Sequence, residues 1–269
     1  MPILTNGSPQ EDWIDPDDVP RPVLIYGFVA DKFVGVELPS HVHVKSQLIL
    51  VQRGVLRCEV AGGLWIVPPQ SAIWIPGGAL HSVWMSGALE GYNAFIDPSV
   101  SHCLPQRCCA VSVSPLLREL MRRGARLPSL YEEGGANSRL LAVLLDEVAA
   151  SKIEDLHLIM PADPKLRQLA EAMMAAPADR STLEVWAKRA CLSERTLARR
   201  IVEETGMSFG RWRQQLAVML AIQWLAAGAS LQTVAADLGY ESVPSFVTMF
   251  RKTLGTSPGR YMAERYGEG

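Results

Sequence analysis

The chain has 269 residues and a mass of 29.5 kDa, with 48% hydrophobic and 20% charged residues. That composition excludes a disordered chain, and the length allows about two domains without disulfide or metal staples. The net charge of −2 on its own argues against a nucleic-acid partner.

No stretch approaches the ~18 apolar residues of a membrane span, so no membrane partner is expected. The segment from Met1 to Pro20 is acidic and has neither the basic start nor the apolar run of a signal peptide. A cytoplasmic location is expected. Cys58, Cys103, Cys108, Cys109 and Cys191 have no zinc-ligand spacing and fit reduced thiols better than a disulfide framework.

From Val23 to about Ile96 the pattern is that of short strands. Leu48–Gln52, Val55–Val60, Trp65–Val67, Ala72–Ile75 and Ser82–Met85 are rich in Val, Ile and Trp. Gly54, Gly62-Gly63, Pro68-Pro69 and Pro76-Gly77-Gly78 punctuate them, which predicts an antiparallel sandwich or barrel. Trp65, Trp74 and Trp84 are expected to pack in it. Ser114–Arg123 and Ser138–Ser151 then take helical spacing. The second has a stripe of Leu140, Leu141, Leu144, Leu145 and Val148. It is the candidate contact for a homodimer, with packing onto the barrel as its plainer use. Pro161-Ala-Asp-Pro164 marks a boundary.

Beyond it all periodic segments are helical, and a repeat emerges. Leu183, Trp186 and Ala187 recur as Leu231, Val234 and Ala235; Ser193, Leu197, Ile201, Gly206 and Ser208 recur as Ser242, Phe246, Phe250, Gly255 and Ser257. Two copies of a helix–turn–helix unit are expected. Ser181 with Glu184 reads as a capping box, Ser193 and Ser242 as caps, and Gly206 and Gly255 as stops. A helix over Phe209–Ala227 joins the units, and Trp186 and Trp224 fall at apolar positions.

Charge partitions along the same boundary. Residues 180–265 hold twelve Lys/Arg and seven Asp/Glu, a net +5, which leaves −7 for the rest. Arg195 and Arg199 share one face of the second helix of the first unit. Guanidinium groups there suit bidentate readout of guanine in the major groove.

The residues Leu231-Gln-Thr-Val-Ala-Ala-Asp-Leu-Gly-Tyr240, Ser242, Ser245-Phe246, Phe250-Arg-Lys252, Gly255, Ser257-Pro258 and Tyr261 resemble the signature of AraC/XylS-type transcriptional regulators. The resemblance implies base contacts from Arg195, Ala198 and Arg199, and in the second unit from Val243, Pro244, Val247 and Thr248. Arg251 joins this DNA-binding set. The family usually has serine or glycine at Pro244; proline in a first helical turn is tolerated.

Gly35, His41-Val-His43, Gln47, Gly54 and, later, Pro76-Gly-Gly78-Ala-Leu-His81 resemble the two motifs of the cupin superfamily. On one strand, His41 and His43 would point to one face. The resemblance implies one divalent transition metal held by His41, His43, Gln47 and His81. Gln47 stands where the family has a glutamate, and Met85 where it often has asparagine. The other use of these histidines is to line a ligand pocket. Val67-Pro-Pro69, Ala72-Ile-Trp-Ile-Pro76, Ser193-Glu-Arg-Thr-Leu197 and Phe209-Gly-Arg-Trp-Arg213 are similar to an AraC-type subgroup with an N-terminal cupin.

The expected architecture is α+β and multidomain: a cupin-like antiparallel β-barrel sensor (1–110), a helical linker or dimerisation segment (111–160), and an all-α double helix–turn–helix domain (161–269). The expected function is a sequence-specific transcription factor, not an enzyme. Its partners would be operator DNA, a small effector, a second copy and, for an activator, RNA polymerase. The alternative is a metal-dependent cupin oxygenase or isomerase with an appended DNA-binding domain.

Overall fold

The computed structural model describes residues 3–4, 14–60, 63–67, 71–154 and 157–266. The expected turn residue Gly62 and the pair Pro68-Pro69 lie outside them. The chain divides into two compact units: Met1–Ala61 with Trp65–His157, and Gly62–Leu64 with Leu158–Gly269.

The first unit is built on a sheet. The strands are β1 (Ile3–Leu4), β2 (Val23–His41), β3 (Ser46–Val60), β4 (Gly63–Val67), β5 (Ser71–Ile75), β6 (His81–Ile96), β7 (Cys109–Ser112), β8 (Ile153–Glu154) and β9 (His157–Ile159), of which residues 63–64 of β4 and 158–159 of β9 fall in the second unit. The hydrogen-bonded order is β1-β2-β6-β3-β5-β7-β8, with β4 and β9 off this path. β2–β6, β3–β6, β3–β5, β5–β7 and β7–β8 are antiparallel, and β1–β2 is parallel.

The strands are longer than the sequence pattern indicated. Leu48–Gln52 and Val55–Val60 are one strand, and Gly54 is no turn. It sits at φ 84° inside β3. The register against β6 shifts on either side of Arg53, so the glycine supplies a β-bulge. β2 shifts register between Leu38 and His41.

Two helices close one face: α1 (Pro115–Gly124), capped by Ser114, and α2 (Ala136–Ala150). Leu117, Leu120, Met121, Leu141, Leu144 and Val148 share one core with Leu48, Leu50, Ala72, Trp74 and Ile96 of the sheet. Leu140 and Leu145 pack against that core. The leucine stripe is therefore spent on the sheet rather than free for a second copy. Of the tryptophans, Trp65 and Trp74 are buried as expected. Trp84 is half-exposed beneath Arg57, whose guanidinium lies 5.2 Å from the ring centre.

The second unit is helical from Pro164: α3 (Pro164–Ala175), α4 (Leu183–Arg189), α5 (Glu194–Thr205), α6 (Phe209–Ala226), α7 (Leu231–Asp237), α8 (Val243–Leu254) and α9 (Pro258–Tyr266). Asp163 caps α3 and Pro164 opens it, so the Pro-Ala-Asp-Pro run is a helix start. Trp212 and Leu216 to Ile222 of α6 are buried, which makes this helix the spine of the unit. Trp224 departs from expectation: it is only half-buried, near the end of α6. Among the described residues no helix is long and apolar enough to cross a membrane.

Candidate functional site

The three cupin-motif histidines converge, though not from one strand. His41 ends β2, and His43 lies in the link before β3. His41 pairs in register with His81 at the start of β6. Two glycines fasten this corner. Gly77 N–H donates to Ser46 Oγ at 3.0 Å, and Gly78 N–H to the His43 carbonyl at 2.8 Å. A Cβ at Gly77 would run into the Val44 carbonyl, so only glycine lets the Pro76–Gly78 turn seat on the His43–Ser46 link.

The ring centres lie 4.3 Å (His41–His81), 4.9 Å (His41–His43) and 5.5 Å (His43–His81) apart. One nitrogen from each falls within 4.8 Å of the others. His41 Nδ1 lies 2.7 Å from the Pro39 carbonyl and His81 Nδ1 lies 2.9 Å from the Ala79 carbonyl. When these Nδ1–H groups donate, both Nε2 lone pairs are left open. That backbone support is how metal-binding imidazoles are usually oriented. His81 is 2% exposed, yet its Nε2 has no partner among the described residues.

Burial pushes the His81 imidazolium down to about 4, and the neighbouring His41 and His43 add to this while the Ala79 carbonyl opposes it. Burial and His41 also lower His43, against Asp17 and Asp15. His43 and His81 are thus biased toward the neutral form that binds metal. Gln47 is 4% exposed with Oε1 unpartnered among the described residues. It pairs in register with Phe95, whose ring is 5.3 Å from that of His43, so its side chain shares the face that packs beside the cluster.

In the second unit the repeat folds as two similar halves. Ser193 Oγ accepts from Thr196 N–H and Ser242 Oγ from Ser245 N–H, at 3.1 and 3.4 Å. Gly206 and Gly255 end their helices in the left-handed region, at φ 69° and 77°. The cap of α4 is Thr182, not Ser181. Asp179 Oδ1 accepts from Ser181 N–H at 2.8 Å, which moves the helix start by one residue.

Leu197 and Ile201 of α5 are buried, and Arg195 and Arg199 are exposed with Ala198 half-exposed between them. Arg199 grips Glu203 at 2.7 and 2.8 Å. On α8, Pro244, Thr248 and Arg251 are exposed, while Val243 and Val247 are half-buried. Thr248 Oγ1 donates to the Pro244 carbonyl at 2.8 Å. Among the described residues of this unit, six cations are matched by acids: Arg167–Glu171, Lys188–Glu184, Arg189–Asp179, Arg199–Glu203, Arg200–Asp163 and Arg260–Glu264. Arg195, Arg211, Arg251 and Lys252 are exposed and have no such partner among the described residues. Sequence reasoning missed the roles of Arg200 and Glu204. Arg200 pairs with Asp163, and Glu204 accepts from Ala162 and Asp163 N–H at 2.7 and 3.0 Å, which ties α5 to the start of α3.

An AraC-like ligand-binding domain matches residues 30–177, and a helix–turn–helix domain matches residues 186–264. The chain belongs to the AraC family of transcriptional regulators. A relative is the HTH-type transcriptional regulator NimR of Escherichia coli (strain K12), 44% identical over 225 residues, 84% of this chain and 82% of that protein. RipA of Corynebacterium glutamicum is 34% identical over 110 residues, 41% of this chain and 33% of its own length. Among solved structures, fatty-acid-bound ToxT from Vibrio cholerae strain SCE256 aligns over 91% of this chain and 96% of its own at 12% identity, with a TM-score of 0.39. The AraC-family assignment gives this chain a ligand-binding domain and a helix–turn–helix DNA-binding domain in one transcription regulator.

Proposed function

We propose that α5 is the principal DNA-reading helix of this regulator, through Arg195, Ala198 and Arg199. In this reading Val243, Pro244, Val247, Thr248 and Arg251 of α8 make a secondary contact. The observation that carries it is the exposed arginine face of α5 on a buried Leu197–Ile201 seam. α6 is 18 residues, about 27 Å at ~1.5 Å per residue, and supports a spacing near one turn of DNA between the two reading helices. The test is fluorescence anisotropy on operator DNA found by genome-wide mapping of bound sites. Arg195→Ala is expected to lower affinity by about 1–3 kcal/mol, roughly 5- to 150-fold. Wild-type binding that does not weaken with salt overturns the reading, because phosphate contacts release counterions.

The first unit, with α1 and α2 packed on its sheet rather than serving as the linker expected over 111–160, acts as the sensor, and 161–269 acts as the DNA reader. The sensor takes one divalent transition metal on His41, His43 and His81, with Gln47 beside them, or uses that corner to receive a small effector. Neutral imidazoles suit such ions. The regulator works as a cytoplasmic homodimer and, if an activator, touches RNA polymerase. An effector changes regulation only by its differential affinity for the DNA-competent state. Metal analysis of protein purified without a histidine tag tests the metal; a chain that neither carries nor takes up an ion overturns it.

A second reading, a metal-dependent cupin oxygenase or isomerase, rests on the same three imidazoles. Gln47 in the carboxylate position counts against it, and turnover by metal-loaded protein separates the two.

A further inference from the structure

We propose that Asp15 is the fourth protein ligand of a His41–His43–His81–Asp15 metal site, in which the N-terminal segment supplies the carboxylate that position 47 lacks. The proposal rests on the metal reading above. Two groups of donor atoms meet at His43. One is the histidine triad. The other is Asp15, Asp17 and His43, whose donor atoms also fall within 4.8 Å of one another. His81, nearly fully buried with an unpartnered Nε2, gives the triad an open donor that folding alone does not explain.

Of the two acids only Asp15 is available. Asp17 Oδ2 accepts from Val44 N–H at 2.7 Å and Oδ1 from Lys45 N–H at 3.0 Å, so both its oxygens are committed. Asp15 Oδ1 accepts from Asp17 N–H at 3.0 Å, while Oδ2 has no partner among the described residues. Asp17 is therefore a positioning residue, and it has help. The Lys45 side chain is buried and donates from Nζ to the carbonyls of Pro16 and Val19 at 2.7 and 2.6 Å. Four polar bonds thus fasten the Pro16–Val19 segment to the link that carries His43.

The chemistry favours an acid here. Three imidazoles and an amide would leave a divalent ion at +2 in a partly buried corner, whereas a carboxylate halves that charge. Donors of an ion bound at ~2.1 Å stand about 3.0–3.4 Å apart, so ring rotations of about an ångström close the histidine triad, while Asp15, grouped with His43 but not with His41 and His81, must swing further to join it. A three-nitrogen, one-oxygen set takes zinc or cobalt readily.

The test uses the full, tag-free chain with zinc(II) and cobalt(II) alone. Asp15→Asn is expected to bind zinc roughly tenfold or more weakly and to change the visible cobalt spectrum, while thermal stability without metal stays as in wild type. Asp15→Cys is expected to keep cobalt and to add a thiolate-to-cobalt charge-transfer band absent from wild type. Wild-type zinc affinity in Asp15→Asn overturns the proposal. So does weakened zinc binding with an unchanged cobalt spectrum and no charge-transfer band, which would make Asp15 a hydrogen-bond partner of His43 rather than a ligand. Failure of wild type to take up either ion overturns the underlying metal reading as well, and is told apart by that baseline.

Discussion

Ser193, Leu197, Ile201 and Gly206 of α5 correspond in the repeat to Ser242, Phe246, Phe250 and Gly255 of α8, and each pair does the same work: cap, two buried anchors, left-handed stop. The exposed faces do not correspond. α5 presents Arg195 and Arg199, whereas α8 presents Pro244 and Thr248, with its cations Arg251 and Lys252 confined to the last turn. The turns differ too. Gly239 turns the second unit at φ 71°, and the equivalent position in the first is Cys191, held at φ 54°. The buried half of the repeat is shared because packing requires it. The exposed half has diverged, and the proposed division of DNA reading between α5 and α8 rests on that divergence.

The largest expected effect lies in the second turn. A Cβ at Gly239 would meet the Ala178 carbonyl as well as requiring a left-handed residue. Gly239→Ala is expected to cost more than about 2 kcal/mol, seen as a lower urea midpoint by circular dichroism. An unchanged midpoint would mean that the two units are seated less tightly than the close approach requires.

Next comes the contrast in reading faces. Arg199→Ala is expected to lose about 1–3 kcal/mol of operator affinity, and Val247→Ala much less. The Glu203 grip does not argue against the proposed reading role of Arg199. Both side chains of that pair are more than half exposed (60% and 54%), and such pairs are worth under about 1 kcal/mol. A guanine contact outweighs it. Equal losses for the two variants, measured by anisotropy, would erase the proposed division between the units.

How much of this was legible depended on the range of each interaction. Ser193, Gly206, Ser242 and Gly255 act within a turn of themselves, so their roles could be read from spacing. Ser181 could not, because Asp179, acting from outside the helix, captures its N–H and passes the cap to Thr182. The histidine triad was readable as a set, since motif spacing encodes the paired ends of β2 and β6. Its placement was not: His43 lies off the strand, held by Gly78 from 35 residues further on. Asp15 was illegible for the same reason. What brings it to His43 is a bond between Asp17 and Val44, and no local pattern encodes that.

Cys191 allows a smaller test. A non-glycine residue in the left-handed region costs about 1–2 kcal/mol, and glycine returns part of that gain as unfolded-state entropy. Cys191→Gly should therefore raise stability by roughly 0.5–1 kcal/mol, read as a higher melting temperature. Since Cys191 is exposed, little packing is lost. A fall in stability would show that the first turn tolerates its residue through a contact that glycine removes.

The smallest effect concerns how the first unit is fastened. Asp179 Oδ2 accepts from Arg189 Nη1 at 2.6 Å, and the position equivalent to Arg189 in the second unit is Asp237, so this clamp belongs to one unit alone. The Ala178–Ser181 segment serves both units. Ala178 abuts Gly239, Asp179 holds Arg189, the Arg180 guanidinium lies 4.3 Å from the Tyr240 ring centre, and the Ser181 carbonyl accepts from Arg213 at 2.8 Å. Hydrogen bonds from Ser181 and Arg189 hold the Asp179 carboxyl down at about 2, below its ordinary 3.8. A depressed carboxylate stabilises the fold above its unfolded pKa and loses that contribution as pH falls through the folded one. Asp179→Asn should therefore lower the melting temperature at pH 7 by no more than a few degrees, since the pair is partly exposed. The gap from wild type should narrow between pH 4 and pH 2. A gap that persists at pH 2 would assign the effect to the geometry of the Thr182 cap rather than to the charge of the clamp.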